Sequence, residues 1–195
     1  MKIFLTGGSG MVGRNILSHS FSKKYEILSP TSKDLNLLDY EKLKRYIELN
    51  KPDIVIHAAG IVGGINANIL NPLKFMYENM QMGINLILAS RNQKIKRLMN
   101  LGSSCMYPKV VTNPISEESL LQGEFEPSNE GYALAKVTSS KLCQYVSFED
   151  KNYLYKTVIP CNLYGKYDKF DSNKSHMVPS AILKIYNAKK NSDES

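Results

Sequence analysis

The sequence predicts an α/β fold, a doubly wound parallel sheet with helices on both faces, and three observations carry that expectation. Short apolar, β-branched runs alternate with longer stretches of helical periodicity, the pattern of parallel strands that need crossover helices between them. A glycine-rich turn directly follows the first apolar run. The chain has 195 residues at 43% hydrophobic content, enough for one substantial core.

In chain order, strands are expected at residues 2–6, 25–29, 54–57, 97–102 and 156–160, and helices at 11–24, 39–49, 72–92, 131–148 and 178–189. The first strand runs straight into glycines; the second ends at Leu28-Ser29-Pro30. Asp39 stands where a helix N-cap belongs, just before Tyr40. The third strand, Ile54 to His57, is an apolar run that closes on the small residues Ala58, Ala59 and Gly60, and the fourth closes at Leu101-Gly102. Residues 108–127 have the irregular, turn-rich composition of active-site loops. After Pro160 a polar segment leaves the sheet, and residues 187–195, small and polar, read as a frayed end. Residues 1–165 are therefore expected to form the α/β domain, and 166–195 the start of a further portion.

The net charge of +7 arises from scattered lysines, with short clusters only at Lys23-Lys24 and Lys189-Lys190. That is a solvated surface rather than a basic stripe for nucleic acid, although it tolerates an anionic small molecule. Cys105, Cys143 and Cys161 form no CxxC pair, so neither a metal site nor a disulfide framework is expected. No apolar run approaches the roughly 20 residues of a membrane span and no signal segment opens the chain, which points to a cytoplasmic protein.

The turn Thr6-Gly7-Gly8-Ser9-Gly10-Met11-Val12-Gly13 places glycines where a strand hands over to a helix. There the backbone can approach a pyrophosphate seated on exposed N–H groups at the positive end of the helix. With its flanking strand and helix this is a Rossmann-type dinucleotide turn, its Gly-x-x-Gly-x-x-Gly spacing resembling extended short-chain dehydrogenases/reductases. Leu28 to Lys33 offers hydroxyls and a lysine and no acid at the strand end, which favours NADP over NAD. Ala58, Ala59 and Gly60 are expected to line the cofactor groove. His57, closing an apolar strand, reads as a packed residue rather than a base.

Tyr132 and Lys136, four apart, share one helix face. An ammonium there favours the tyrosinate and would bring the phenol toward neutral proton exchange with a carbonyl. Ser103, just past the fourth strand, can polarise the same carbonyl.

Together Leu101-Gly-Ser-Ser-Cys-Met-Tyr-Pro-Lys109, Leu120 to Gly123, Glu126 to Glu130, Asn162-Leu-Tyr-Gly165 and Ser175-His176-Met-Val-Pro179 resemble the GDP-L-fucose synthases over nearly the whole chain. The resemblance implies a GDP-4-keto-6-deoxyhexose substrate, epimerised at C3 and C5 and reduced at C4 with NADPH. It assigns Cys105 as the epimerisation base and His176 as the opposing acid, with Ser103, Tyr132 and Lys136 as the reducing set. Asp39 then contacts the adenine, Ser103, Ser104, Asn162, His176 and Lys184 contact the substrate, and Lys136 also holds the nicotinamide ribose. A homodimer through the helices at 72–92 and 131–148 is implied as well. Gly131 stands where the family pattern expects proline. The family's C-terminal substrate lobe lies largely beyond this chain, which leaves a non-catalytic dinucleotide-binding module as a reading of another class. Within the same class, a GDP-4-keto-6-deoxyheptose would use the same residues.

Overall fold

Five apolar runs, each four or five residues long except for a shorter second, line up in parallel to make one sheet: β1 (Lys2–Thr6), β2 (Glu26–Leu28), β3 (Ile54–His57), β4 (Arg97–Leu101) and β5 (Leu154–Val158). The computed structural model describes residues 1–171, 175 and 177–193. The spatial order is β2-β1-β3-β4-β5, so the chain turns left from β1 and thereafter right. Because such crossovers are right-handed, α1 (Met11–Ser18) covers one face, while α2 (Tyr40–Asn50), α4 (Pro72–Asn92) and α5 (Glu130–Glu149) cover the other. The contacts of α2 with α4 and of α4 with α5 follow that arrangement. The order reverses between β1 and β3, the switch point outside which ligands bind in doubly wound sheets.

The core lies between the sheet and this second helix layer. Phe4, Val55, Leu98 and Tyr155 come from four neighbouring strands, and Leu43, Ile47, Leu86, Ile87, Cys143 and Val146 meet them from the helices. Each large apolar side chain so buried contributes about 1.5–3 kcal/mol. On the opposite face Met99, Leu154 and Val158 remain exposed.

Some boundaries depart from the sequence reading. The helix expected over 11–24 divides at His19, whose extended backbone ends α1 and whose ring accepts from the Phe21 N–H to open a 3₁₀ turn, Ser20–Lys24. The last strand begins two residues early because Tyr155 anchors it: its hydroxyl donates to the Ile95 carbonyl at 2.9 Å, and its N–H donates to the Ser147 hydroxyl at 2.9 Å. A short helix not foreseen, α3 (Ile65–Leu70), precedes α4. The final helix, α6 (Met177–Asp193), continues through most of the segment read as frayed. Among the described residues no helix is long and apolar enough to cross a membrane, and no cluster of His, Cys, Asp or Glu could hold a metal.

Candidate dinucleotide and catalytic site

Gly7 adopts φ +75°, and a Cβ there would meet the Ala58 carbonyl carbon and the Ala59 nitrogen at 2.6 Å, so only glycine lets β1 turn this close to the end of β3. Gly13 packs against the Gly7 carbonyl and the Gly8 Cα with no room for a side chain. Gly10 differs: a Cβ there would meet only the Gly7 carbonyl, at 3.4 Å, and would otherwise stand in open space. No side chain caps the start of α1 and no acid occupies its first turn, which leaves the Met11, Val12 and Gly13 N–H groups without intrahelical acceptors. This is the cradle a pyrophosphate requires. At the end of β2 the Ser29 hydroxyl is buried without a partner, over the position a Gly8 side chain would take. Asp34, an acid the sequence reading did not weigh, accepts from both the Thr31 hydroxyl, at 2.6 Å, and the Thr31 N–H, at 3.1 Å, in the same loop. Asp39 caps α2 by accepting from the Lys42 N–H at 3.1 Å.

An open groove of about 520 Å³ runs from Met11 and Val12 along α1 to Leu163–Lys166. The loop after β5 reaches this place because the Asn15 amide donates to the Lys166 carbonyl at 2.8 Å and the Arg14 guanidinium stacks 4.0 Å from the Tyr167 ring centroid. The groove adjoins the glycine turn and not Ser103 or Tyr132.

At the end of β3, His57 is buried with Nδ1 2.8 Å from the Thr6 hydroxyl. That hydroxyl also accepts from the Ala59 N–H at 3.3 Å, so its own proton is directed to Nδ1. Burial, with the Lys136 charge adding to it, lowers the His57 pKa to about 3. A neutral ring engaged in packing agrees with the reading of His57 as structural.

The chemistry-bearing residues meet between β4 and α5. Ser103 follows β4 and opens the 3₁₀ turn Ser104–Met106, which packs Cys105 against the cluster of Met106, Phe125, Ala133 and Val137. Burial pushes the Cys105 thiol up, opposed by a hydrogen bond from Ser103 and by the Lys136 charge. Lys136 is buried, and its ammonium donates to the Leu101 carbonyl at 2.8 Å. Desolvation holds its pKa down to about 8 against the opposing pull of Cys105. Tyr132 shows the one reversal of expectation in this group. Its hydroxyl is pushed up, not down, by burial first and the Cys105 charge second. The Lys136 ammonium sits 5.6 Å from the ring centroid and is committed to a backbone carbonyl. In this geometry Tyr132 is a protonated donor.

The other candidates are not gathered here. Asn162 is exposed in the loop after β5 and Lys184 is exposed on α6; Ser104 is half-buried beside Ser103. His176 lies outside the described residues. Sequence reasoning missed Asn79 and Asn85, two buried amides of α4 that bond the loops after β3 and before α2. Their signal was polar residues on the buried face of a long helix.

Taken together, these features define a dinucleotide-binding α/β protein with a Ser–Tyr–Lys group at the strand ends. The chain belongs to the NAD dependent epimerase/dehydratase family, whose model matches residues 3–194. It is 60% identical to a GDP-L-colitose synthase of Yersinia pseudotuberculosis, over 96% of this chain and 61% of that protein. It is 46% identical to a GDP-L-fucose synthase of Azorhizobium caulinodans, over 100% of this chain and 62% of that protein. Among solved structures, a GDP-D-glycero-L-gluco-heptose synthase from Campylobacter jejuni, determined in the presence of NADPH, superposes with a TM-score of 0.90 at 28% identity, over 96% of this chain and 55% of that one. The chain thus spans about three fifths of the length of these curated relatives.

Proposed function

We propose that this chain carries the cofactor site and the reacting side chains of an NADPH-dependent GDP-sugar epimerase/reductase. The observation that carries the reading is the grouping of protonated Tyr132, cationic Lys136 and half-buried Cys105 around Ser103, at the strand ends next to a glycine cradle. The cradle fits a dinucleotide: Gly10, Met11, Val12 and Gly13 would hold the pyrophosphate, Asp39 the adenine, Ala58 to Gly60 the groove floor, and Lys136 the nicotinamide ribose. The bound cofactor supplies a hydride.

The chain's own groups supply the protons. Hydrogens next to a ketone are acidic, so Cys105, whose thiolate the Ser103 hydroxyl and the Lys136 charge favour against the opposing effect of burial, would remove one while Ser103 and Tyr132 hold the enolate oxygen, and His176 would return a proton on the other face. For reduction at C4, Tyr132 hands its proton to the ketone oxygen, and the resulting tyrosinate is stabilised by Lys136. The raised Tyr132 pKa suits a donor that must stay protonated until the oxygen becomes basic. Residues 166–195 would begin the substrate-binding portion, from which Lys184 would contact the GDP-sugar, while Asn162 would contact it from the loop after β5. Exposed Leu73 and Tyr77 on α4, with Tyr145 and Phe148 on α5, support a homodimer through these helices.

The substrate the reading favours is GDP-4-keto-6-deoxymannose, giving GDP-L-fucose. The name of the 60% identical relative favours a second, with GDP-L-colitose as product. A heptose analogue is the third. Incubation with NADPH and each keto sugar, followed by product identification, tests the reading. The expected result is GDP-L-fucose with inversion at both carbons. NADPH left unconsumed with every keto sugar would contradict it. Tyr132→Phe should lower C4 reduction about 10²- to 10⁴-fold while NADPH still binds, and wild-type turnover in that variant would remove Tyr132 from the assignment.

A further inference from the structure

The loop after β5 is exposed from Cys161 to Lys166, and Tyr167 is the first residue in it to be half-buried. Among the described residues, the hydrogen bonds that tie residues 161–168 to another element run to α1. The Asn15 amide donates to the Lys166 carbonyl at 2.8 Å and to the Met11 carbonyl of its own helix at 2.9 Å. One residue earlier, the Arg14 guanidinium lies 4.0 Å from the Tyr167 ring centroid, and the Tyr167 hydroxyl bonds Ser18. Arg14 and Ser18 are four apart, so one face of α1 holds the ring. The Lys166 ammonium adds a second cation 4.9 Å from it.

Exposed arginine and asparagine ordinarily face solvent, and asparagine is a poor helix former. Here both direct their polar groups at a loop some 151 residues further on. Tyr167 also holds φ +70°. A bulky residue keeps that left-handed backbone only where its surroundings hold it there. What the contacts fix in place is a groove wall: Leu163 and Tyr164 line the groove of about 520 Å³ together with Met11 and Val12, whose N–H groups belong to the pyrophosphate cradle.

We infer that Arg14 and Asn15 are positioning residues for the cofactor, latching the loop after β5 onto α1 so that Leu163 and Tyr164 wall the groove beside the pyrophosphate cradle. The inference rests on the dinucleotide reading above. Side chains that were merely solvated could be replaced without effect on the loop or the cofactor.

The whole chain and its Arg14→Gln, Arg14→Lys and Asn15→Ala variants are treated with trypsin. Cleavage after Lys166 is followed by mass spectrometry beside cleavage after Lys109, in the loop between β4 and α5, because cutting of a rapidly opening loop tracks its open population. Arg14→Gln and Asn15→Ala should each speed the Lys166 cut about three- to tenfold and leave the Lys109 cut unchanged. Arg14→Lys, which keeps a cation for the ring, should stay within about twofold of the parent. By linkage, NADPH should slow the Lys166 cut in the parent, and Arg14→Gln combined with Asn15→Ala should bind NADPH about fivefold or more weakly. An unchanged Lys166 cut in both single variants, equal acceleration at Lys109, an Arg14→Lys chain that behaves as Arg14→Gln, or parental NADPH affinity in the double variant overturns the inference and leaves the cofactor site in place. If the parent chain does not bind NADPH, the dinucleotide reading itself falls, and the inference with it. Should the α1 variants fail to fold, Tyr167→Leu removes the same stack from the loop side and should speed the cut about as much; no change there overturns the inference.

Discussion

Lys136 is held as a cation where the fold disfavours one. Burial lowers its pKa to about 8 from an ordinary value of 10.5, so between about pH 8 and 10.5 the unfolded chain keeps a proton that the folded chain has released. The linkage sign is positive: the contribution of Lys136 to stability rises with pH across that window and is unfavourable below it. Lys136→Met should therefore melt at or above the parent temperature at pH 7 while cofactor binding and reduction are lost. A lowered melting temperature measured by calorimetry at pH 7 would show that the bond to the Leu101 carbonyl outweighs desolvation. His57 gives an acid-side counterpart. Its pKa falls from 6.5 to about 3, so the stability it supports is complete above about pH 6.5 and is lost as pH falls toward 3. His57→Gln should flatten acid unfolding over that range, and an unchanged acid midpoint would contradict this. At this scale the grouping of Ser103, Tyr132 and Lys136 was legible in the sequence, because Tyr132 and Lys136 at helical spacing and Ser103 past an apolar run are local patterns. It did not reveal their protonation, since the raised Tyr132 pKa comes from burial beneath segments distant in sequence.

Among the elements, the glycine turn separates the requirements of folding from those of binding. Gly13→Ala would drive a methyl group into the Gly7 carbonyl and the Gly8 Cα, an overpacking that should cost about 1–3 kcal/mol and lower the melting temperature. Gly10→Ala meets only the Gly7 carbonyl, at 3.4 Å, so it should fold with nearly parental stability and lose NADPH affinity about tenfold or more. Thermal melts paired with cofactor titrations check both, and a Gly10→Ala chain that binds NADPH normally would move the pyrophosphate away from this turn. The turn was legible because glycine spacing is written locally. The start of β5 was not, because Tyr155 fixes it by reaching the Ile95 carbonyl in the loop before β4, sixty residues earlier. The break at His19 depends in the same way on the Ser22 hydroxyl reaching back to the Ile16 carbonyl.

For the molecule as a whole, the alternation of apolar runs and helical stretches foretold the parallel sheet and its two helix layers. It could not foretell that Met99, Leu154 and Val158 would stand exposed on one face, since apolar strands of this kind read as buried on both sides. The central claim is that one chain presents two separable proton chemistries around a shared Lys136, inversion through Cys105 and reduction through Tyr132. The most direct measurement is deuterium uptake from solvent at C3 and C5 of GDP-4-keto-6-deoxymannose, compared between Cys105→Ser and Tyr132→Phe under the same NADPH concentration. The account predicts that Cys105→Ser slows uptake at both carbons by about 10²-fold or more and leaves NADPH binding intact, whereas Tyr132→Phe exchanges deuterium but does not reduce C4. Normal uptake in Cys105→Ser would contradict it and leave Cys105 a packing residue beside a simple reductase site.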